Sequence, residues 1–254
     1  MALSFLDLRR YRWLPHLLIA MTVFVVLAGI VLIRFVESRF VEATGGELRL
    51  AAEEVAEKLD RTLFERQGDA LMMARAFSSR ASDPRYFSEY LKWMKTEYAP
   101  IYLWLAVTDS QGTVVVSTEP SLVGRDYSRT ASFTAARATR RLEIADVAVQ
   151  EVESGVDAIA FTAPILDSKG AFLGVVTSRV GIPSLEEVIT RTIRSLEAQQ
   201  GAGGRVEYQM LTKQGRVFVD SDLSRKGAIN LKELGLPSVL LSEAGVPGFI
   251  EEEH

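Results

Sequence analysis

The pattern of apolar and polar positions divides the chain into three textures. Residues 14–33 form one apolar run whose only other members are Pro15, His16, Thr22 and Gly29, and 13 of the 20 are Leu, Ile, Val or Phe. At 1.5 Å per residue the run spans about 30 Å, the thickness of the hydrocarbon layer. Each Leu, Ile, Val or Phe favours insertion by about 0.3–0.6 kcal/mol. The pattern predicts an uncleaved transmembrane helix over residues 14–34. A core helix rarely runs this long without a charge. A cleaved signal sequence, for which Val26 and Ala28 would suit the cleavage site, normally carries a shorter apolar segment. Arg9, Arg10 and Arg12 precede the span, whereas Arg34, Glu37, Arg39, Glu42 and Glu47 follow it. The positive-inside rule then puts residues 1–13 in the cytoplasm and residues 35–254 outside. As given, the chain crosses once.

The second texture is helical. Leu48, Ala52, Val55, Leu59, Thr62, Arg66, Ala70, Met73 and Phe77 recur at intervals of three and four. This predicts a long helix over 35–80, with a bend at Gly45-Gly46. Its stripe either packs on its own domain or forms a dimer seam, and Thr62 and Arg66 on the stripe weaken the second reading. Asp83-Pro84 reads as a capped start for another helix that stops before Pro100.

The third texture has period two. Residues 102–108 and 113–117 read as strands joined at Asp109-Ser-Gln-Gly112. A loop over 119–127 leads to a short helix over 132–140, where Arg140-Arg141 reads as a solvated helix end. Further strands are expected over 144–149, 156–164 and 172–179. Ser184-Leu-Glu-Glu187 is a capping box opening a helix to about Gln199. A second hairpin follows, 208–212 and 216–220. Gly112, Val114, Val116, Ser117, Ser121 and Gly124 reappear in kind 103 residues later as Gly215, Val217, Val219, Asp220, Ser224 and Gly227, with Asp replacing Ser at one of them. The agreement runs through turn and loop, which points to a duplicated α+β module.

Composition narrows the chemistry. The chain has 254 residues, is 48% hydrophobic and carries a net charge of -4. It can bury a core, and the acidic balance argues against nucleic-acid binding. There is no Cys, and the two histidines are His16, inside the apolar run, and His254, the last residue. The folded part therefore has no imidazole or thiolate for a triad, a zinc site or a disulfide framework. No nucleophile elbow, P-loop or dinucleotide fingerprint is present. Neither composition nor motifs call for a cofactor or a metal.

In this order the features resemble the double Cache sensor domain of bacterial transmembrane receptors. A membrane span runs into a long helix. The hairpin over 104–118 follows. Next comes Val123-Gly-Arg-Asp-Tyr-Ser-Arg-Thr-Ala-Ser-Phe133, similar to the family's loop entering the pocket helix. Last come Thr162-Ala-Pro-Ile-Leu-Asp-Ser-Lys-Gly170 and Leu173-Gly-Val-Val176, similar to its late hairpin. The resemblance covers about residues 35–254. It implies an α+β fold: a long helix carrying two PAS-like antiparallel-sheet modules. These would be a membrane-distal ligand-binding module over 81–183, a connecting helix and linker over 184–203, and a membrane-proximal module over 204–254 that stops before its remaining strands. The implied role is a homodimeric, non-catalytic sensor whose output domain (kinase, chemoreceptor or cyclase) lies beyond residue 254.

The resemblance also suggests ligand contacts. Tyr102 and Trp104 alternate along a strand and could face a pocket, although strand aromatics more often fill cores. Amino-acid-binding members hold the ligand carboxylate with an Arg just before a Trp-Tyr pair. Here Arg129 precedes Ser132-Phe133, which departs from that pattern and keeps only the aromatic of the organic-acid version. A guanidinium suits a carboxylate in any case. Asp146 and Asp157 could supply the acidic partner for an amine. Two other readings stay open: a membrane-anchored structural dimer without a small ligand, and a membrane-anchored hydrolase using a carboxylate pair.

Overall fold

The computed structural model of the chain describes residues 13–79, 83–145, 147, 157–200, 206–212, 214–222, 224–225, 229–236, 239 and 243–245. Helix α1 (Leu14–Ser78) runs for 65 residues, roughly 100 Å at 1.5 Å per residue. Its first part is long and apolar enough to cross a membrane, and none of that stretch is buried against the rest of the chain. Phe24, Val31 and Ile33 are exposed there.

The bend expected at Gly45-Gly46 is absent, because α1 continues through both residues. Two glycines cost about 2 kcal/mol of helix propensity. The turns that follow offset part of this with ion pairs at i,i+4, Arg49–Glu53, Lys58–Glu54 and Arg61–Glu57, each contributing a few tenths of a kcal/mol. From Ala51 onward one face of α1 is buried through Leu59, Arg66, Ala70, Met73 and Phe77. Leu48 stays exposed and Ala51, rather than Ala52, takes the inward place. The stripe thus packs on the chain's own sheet and on a later helix, Ile182–Gln200.

Helix α2 (Pro84–Glu97) starts where expected. The Asp83 carboxylate accepts from the amides of Arg85 and Tyr86, both at 3.1 Å, and proline at the first position loses no hydrogen bond. Phe87, Leu91 and Met94 point inward at helical spacing.

Five strands follow: β1 (Tyr102–Thr108), β2 (Val114–Ser117), β3 (Glu143–Ala145), β4 (Ala158–Leu166) and β5 (Phe172–Gly181). They form one antiparallel sheet in the order β2-β1-β5-β4-β3. Pro164 sits within β4, and β3 pairs with β4 only as far as Thr162, so the missing amide hydrogen falls where no strand waits for it. One sheet face packs on α1 and α2 through Leu105, Val107, Phe161 and Val176, in the same core as Met73, Phe77 and Leu91. The other face receives α3 (Ala131–Thr139), whose Phe133 and Ala136 pack on Val175.

Helix α4 (Ile182–Gln200) begins before the expected capping box, so Ser184 lies inside its first turn. Pro183 already fits a helix start, which moves the boundary upstream. Strands β6 (Gln209–Leu211) and β7 (Val217–Asp220) form the second hairpin, followed by α5 (Leu231–Leu234). The architecture is α+β.

The two hairpins share a hydrogen-bond scheme. Asp109 donates to Thr113 O and Gly112 to Asp109 O; Thr212 donates to Arg216 O and Gly215 to Thr212 O. Val114 and Val217 each donate into the following loop, to Arg125 O and Ile229 O. The loop returns both times, Tyr127 to Gly112 O and Leu231 to Gly215 O. Gly112 and Gly215 both have positive φ, at 96° and 83°. The repeat that the sequence shows at the level of residue type therefore extends to backbone geometry.

Candidate functional site

The sheet face opposite α1 differs in kind from the face that packs on it. Trp104 on β1 and Arg179 on β5 are cross-strand partners, both buried, with the guanidinium carbon 5.5 Å from the ring centroid. One step along, Ala106, Thr177 and Thr162 form a row across β1, β5 and β4. The two threonine hydroxyls are 3.2 Å apart. Ala160 lies beside Arg179 and Glu143 beside Thr162. Alternation along the strands brings these side chains to one face. It carries a stacked cation, two hydroxyls, a carboxylate and small alanines.

Arg179 is the residue the sequence reading missed. Its signal is visible: it is the one charge in β5, a strand otherwise built from apolar, hydroxyl and glycine residues. A charge inside such a run faces a large desolvation cost unless it is paired and hydrogen-bonded.

Alternation predicts Tyr102 and Trp104 on one face, and the structure separates them. The β1–β5 register shifts between Tyr102 and Trp104. This places Tyr102 with Leu105 and Val107 in the α1-side core, while Trp104 packs with Ala106, Val114 and Leu122. An irregularity of one residue exchanges the faces of everything on one side of it. The Tyr102 hydroxyl donates to Asp69 on α1. Burial first, and then that hydrogen bond, push the phenol far above its ordinary pKa. Asp69 also pairs with the buried Arg66 at 3.1 Å, and the Arg66 guanidinium lies 5.4 Å from the Tyr98 ring and 5.7 Å from that of Tyr102. This cluster ties the start of β1 to α1.

The remaining candidates divide. Arg129 is exposed on the loop before α3. It lies near Asp126, whose carboxyl is held below its ordinary range by the Ser128 hydroxyl and amide, with a smaller pull from Arg129. Thr130 caps α3 by accepting from the Phe133 amide at 3.4 Å. Ser132 is half-buried. Phe133 is 2% exposed and meets Phe172 edge-on at 5.7 Å, so it serves as the packing contact of α3. Asp157 is half-buried just before β4, and its carbonyl accepts from the Ile182 amide. Asp146 lies outside the described residues, as do residues 148–149 of the expected strand over 144–149 and all of residues 1–12.

No family model matches the sequence, and no curated protein matches it either. Solved structures do. The ligand-binding domain of an amino acid chemoreceptor of Pseudomonas aeruginosa PAO1, solved in complex with GABA, matches with a TM-score of 0.61 at 20% identity, over 83% of this chain and 88% of that one. A domain of a sensory box/GGDEF family protein from Vibrio parahaemolyticus matches with a TM-score of 0.64 at 13% identity, over 83% and 87%. An extracellular ligand-binding receptor of Desulfohalobium retbaense matches with a TM-score of 0.58 at 18% identity, over 74% of this chain. The chain shares the Cache-like fold of these ligand-binding and sensory domains. In the Desulfohalobium receptor the match spans only 34% of the chain. At these identities the likeness extends to the Cache-like fold and not to individual residues.

Proposed function

We propose that the chain is the ligand-sensing region of a membrane-anchored receptor. It binds a small carboxylate or amino acid on the sheet face opposite α1. The observation that carries this reading is the buried Arg179 stacked on Trp104, with Thr162, Thr177 and Glu143 in the adjoining row. A guanidinium offers a planar fork to a carboxylate, the hydroxyls orient it, and Glu143 offers a counter-charge to an amine. Arg129 from the loop, Ser132 from α3 and Asp157 from the approach to β4 are proposed to close the site. The neighbouring chemoreceptor domain solved with GABA supports a ligand of this class.

In this reading residues 14–34 cross the membrane with residues 1–13 in the cytoplasm. Residues 35–80 carry the signal in a homodimer. Residues 81–183 form the distal ligand-binding module, 184–203 connect, and 204–254 begin the proximal module. The sensing region is non-catalytic and needs no cofactor. Ligand binding shifts α1 only to the extent that affinity differs between two positions of that helix. The Arg66–Asp69–Tyr102 cluster couples the sheet to it.

The test is thermal unfolding of the full chain in detergent micelles against organic acids, amino acids and amines. A concentration-dependent rise with one class supports the reading. A folded chain that responds to none of them contradicts it.

A further inference from the structure

A second cleft, of about 510 Å³, lies on the other side of the sheet, between α1, the end of α3 and the outer end of β4. Three arginines line it: Arg75 from α1, and Arg140 and Arg141 from the turn after α3. Gln67 stands beside them, over an apolar floor that includes Ala74 and Leu142. No carboxylate lines it among the described residues, and neither Arg75 nor Arg141 enters an ion pair among them. Arg140 holds left-handed backbone at φ 57°, a conformation that is strained for a residue with a Cβ. Its guanidinium sits 4.9 Å from the centroid of the Phe172 ring.

Like charges around one cleft repel one another, and the ends of α1 and α3 pointing toward the same region offset this only in part. The electrostatics are completed by an anion, and guanidinium groups bind carboxylates through two parallel hydrogen bonds each. The apolar floor selects an organic anion over a fully hydrated one. Lipid headgroups are excluded by distance, since Arg75 lies 41 residues beyond Arg34 along α1, about 60 Å.

We infer that this cleft binds a small organic polycarboxylate, bridging α1 to the sheet edge at a site separate from the Trp104–Arg179 face. The inference goes beyond the proposed ligand site and does not depend on it.

Citrate is the probe, titrated into the full chain in detergent micelles, with chloride at equal ionic strength as the reference. Citrate is expected to raise the unfolding midpoint and to bind in calorimetry. The R75Q/R141Q double variant should lose at least about tenfold in citrate affinity, while Arg179→Gln keeps it. If the double variant folds poorly, Arg141→Lys, which keeps the charge but not the planar fork, should weaken binding by a smaller factor. The inference is overturned if citrate does not bind the wild-type chain, if the folded variants bind it as tightly as wild type, or if Arg179→Gln alone abolishes binding.

Discussion

Arg66 and Tyr102 share one carboxylate, Asp69, and only Arg66 was conspicuous in the sequence as a charge on an apolar stripe. A buried guanidinium with a partner is tolerated, whereas removing the partner leaves a stranded charge. Asp69→Ala leaves Arg66 only the largely exposed Glu65 carboxylate at 3.2 Å and should therefore cost about 2–3 kcal/mol. Tyr102→Phe, which removes one hydrogen bond and leaves the ion pair, should cost about 1 kcal/mol. Denaturant unfolding of the full chain in micelles, followed by tryptophan fluorescence, measures both, and equal costs would refute this account of the cluster. Trp104 was legible as an aromatic near the site. Its separation from Tyr102 was not, because a register shift leaves no mark on the alternation of residue types. Arg179 was readable in principle as the lone charge of β5. The loop over 123–133 instead offers Arg129 near the helix, which the structure leaves exposed.

At the level of elements, caps and turns carried most of the information. Asp83-Pro84 and the hairpin turns specify their geometry through local hydrogen bonds, so their positions were predictable to within about a residue. Two features were not, because neighbouring residues override the local signal. The helix passes through Gly45-Gly46, and the start of α4 moves to Ile182. Since an added Cβ at Gly46 meets nothing within 4 Å, Gly46→Ala should stabilise the helix by about 0.5–1 kcal/mol. A destabilised Gly46→Ala chain would show that the glycine serves a bend after all. Gly174 behaves differently. Its φ is +149°, and a Cβ there would come within 2.0 Å of the Thr108 carbonyl oxygen, the closest approach of β5 to the end of β1. Gly124 also has positive φ, at +86°, but open space around it. Gly174→Ala should thus destabilise by several times the roughly 1–2 kcal/mol expected for Gly124→Ala. Comparable unfolding midpoints for the two variants would contradict the close packing described between β1 and β5.

Across the whole molecule, the arrangement separates a polar, cation-bearing sheet face from a long helix packed on the opposite face. The α+β class, the apolar first part of α1 and the repeated hairpin could all be read from periodicity, because each is a pattern many residues long. The proposed ligand face could not, since it is assembled from single side chains on β1, β3, β4 and β5, brought together by a strand order that runs β2-β1-β5-β4-β3. A ligand bound on that face can alter α1 only through the sheet and the contacts beneath it, with the Arg66–Asp69–Tyr102 cluster as the polar link. Weakening that link should leave ligand affinity nearly intact while uncoupling binding from any movement of α1. Spin labels placed on the exposed face of the helix, read with and without ligand in wild type and Tyr102→Phe, check this. The central claim concerns Arg179. Calorimetric titration of the ligand identified by thermal shift into the full chain, compared with Arg179→Gln, tests it most directly. The account predicts that the variant folds and loses about 10-fold to 100-fold in affinity, the worth of a charge-assisted contact. A folded Arg179→Gln chain that binds the ligand as tightly as wild type would contradict it.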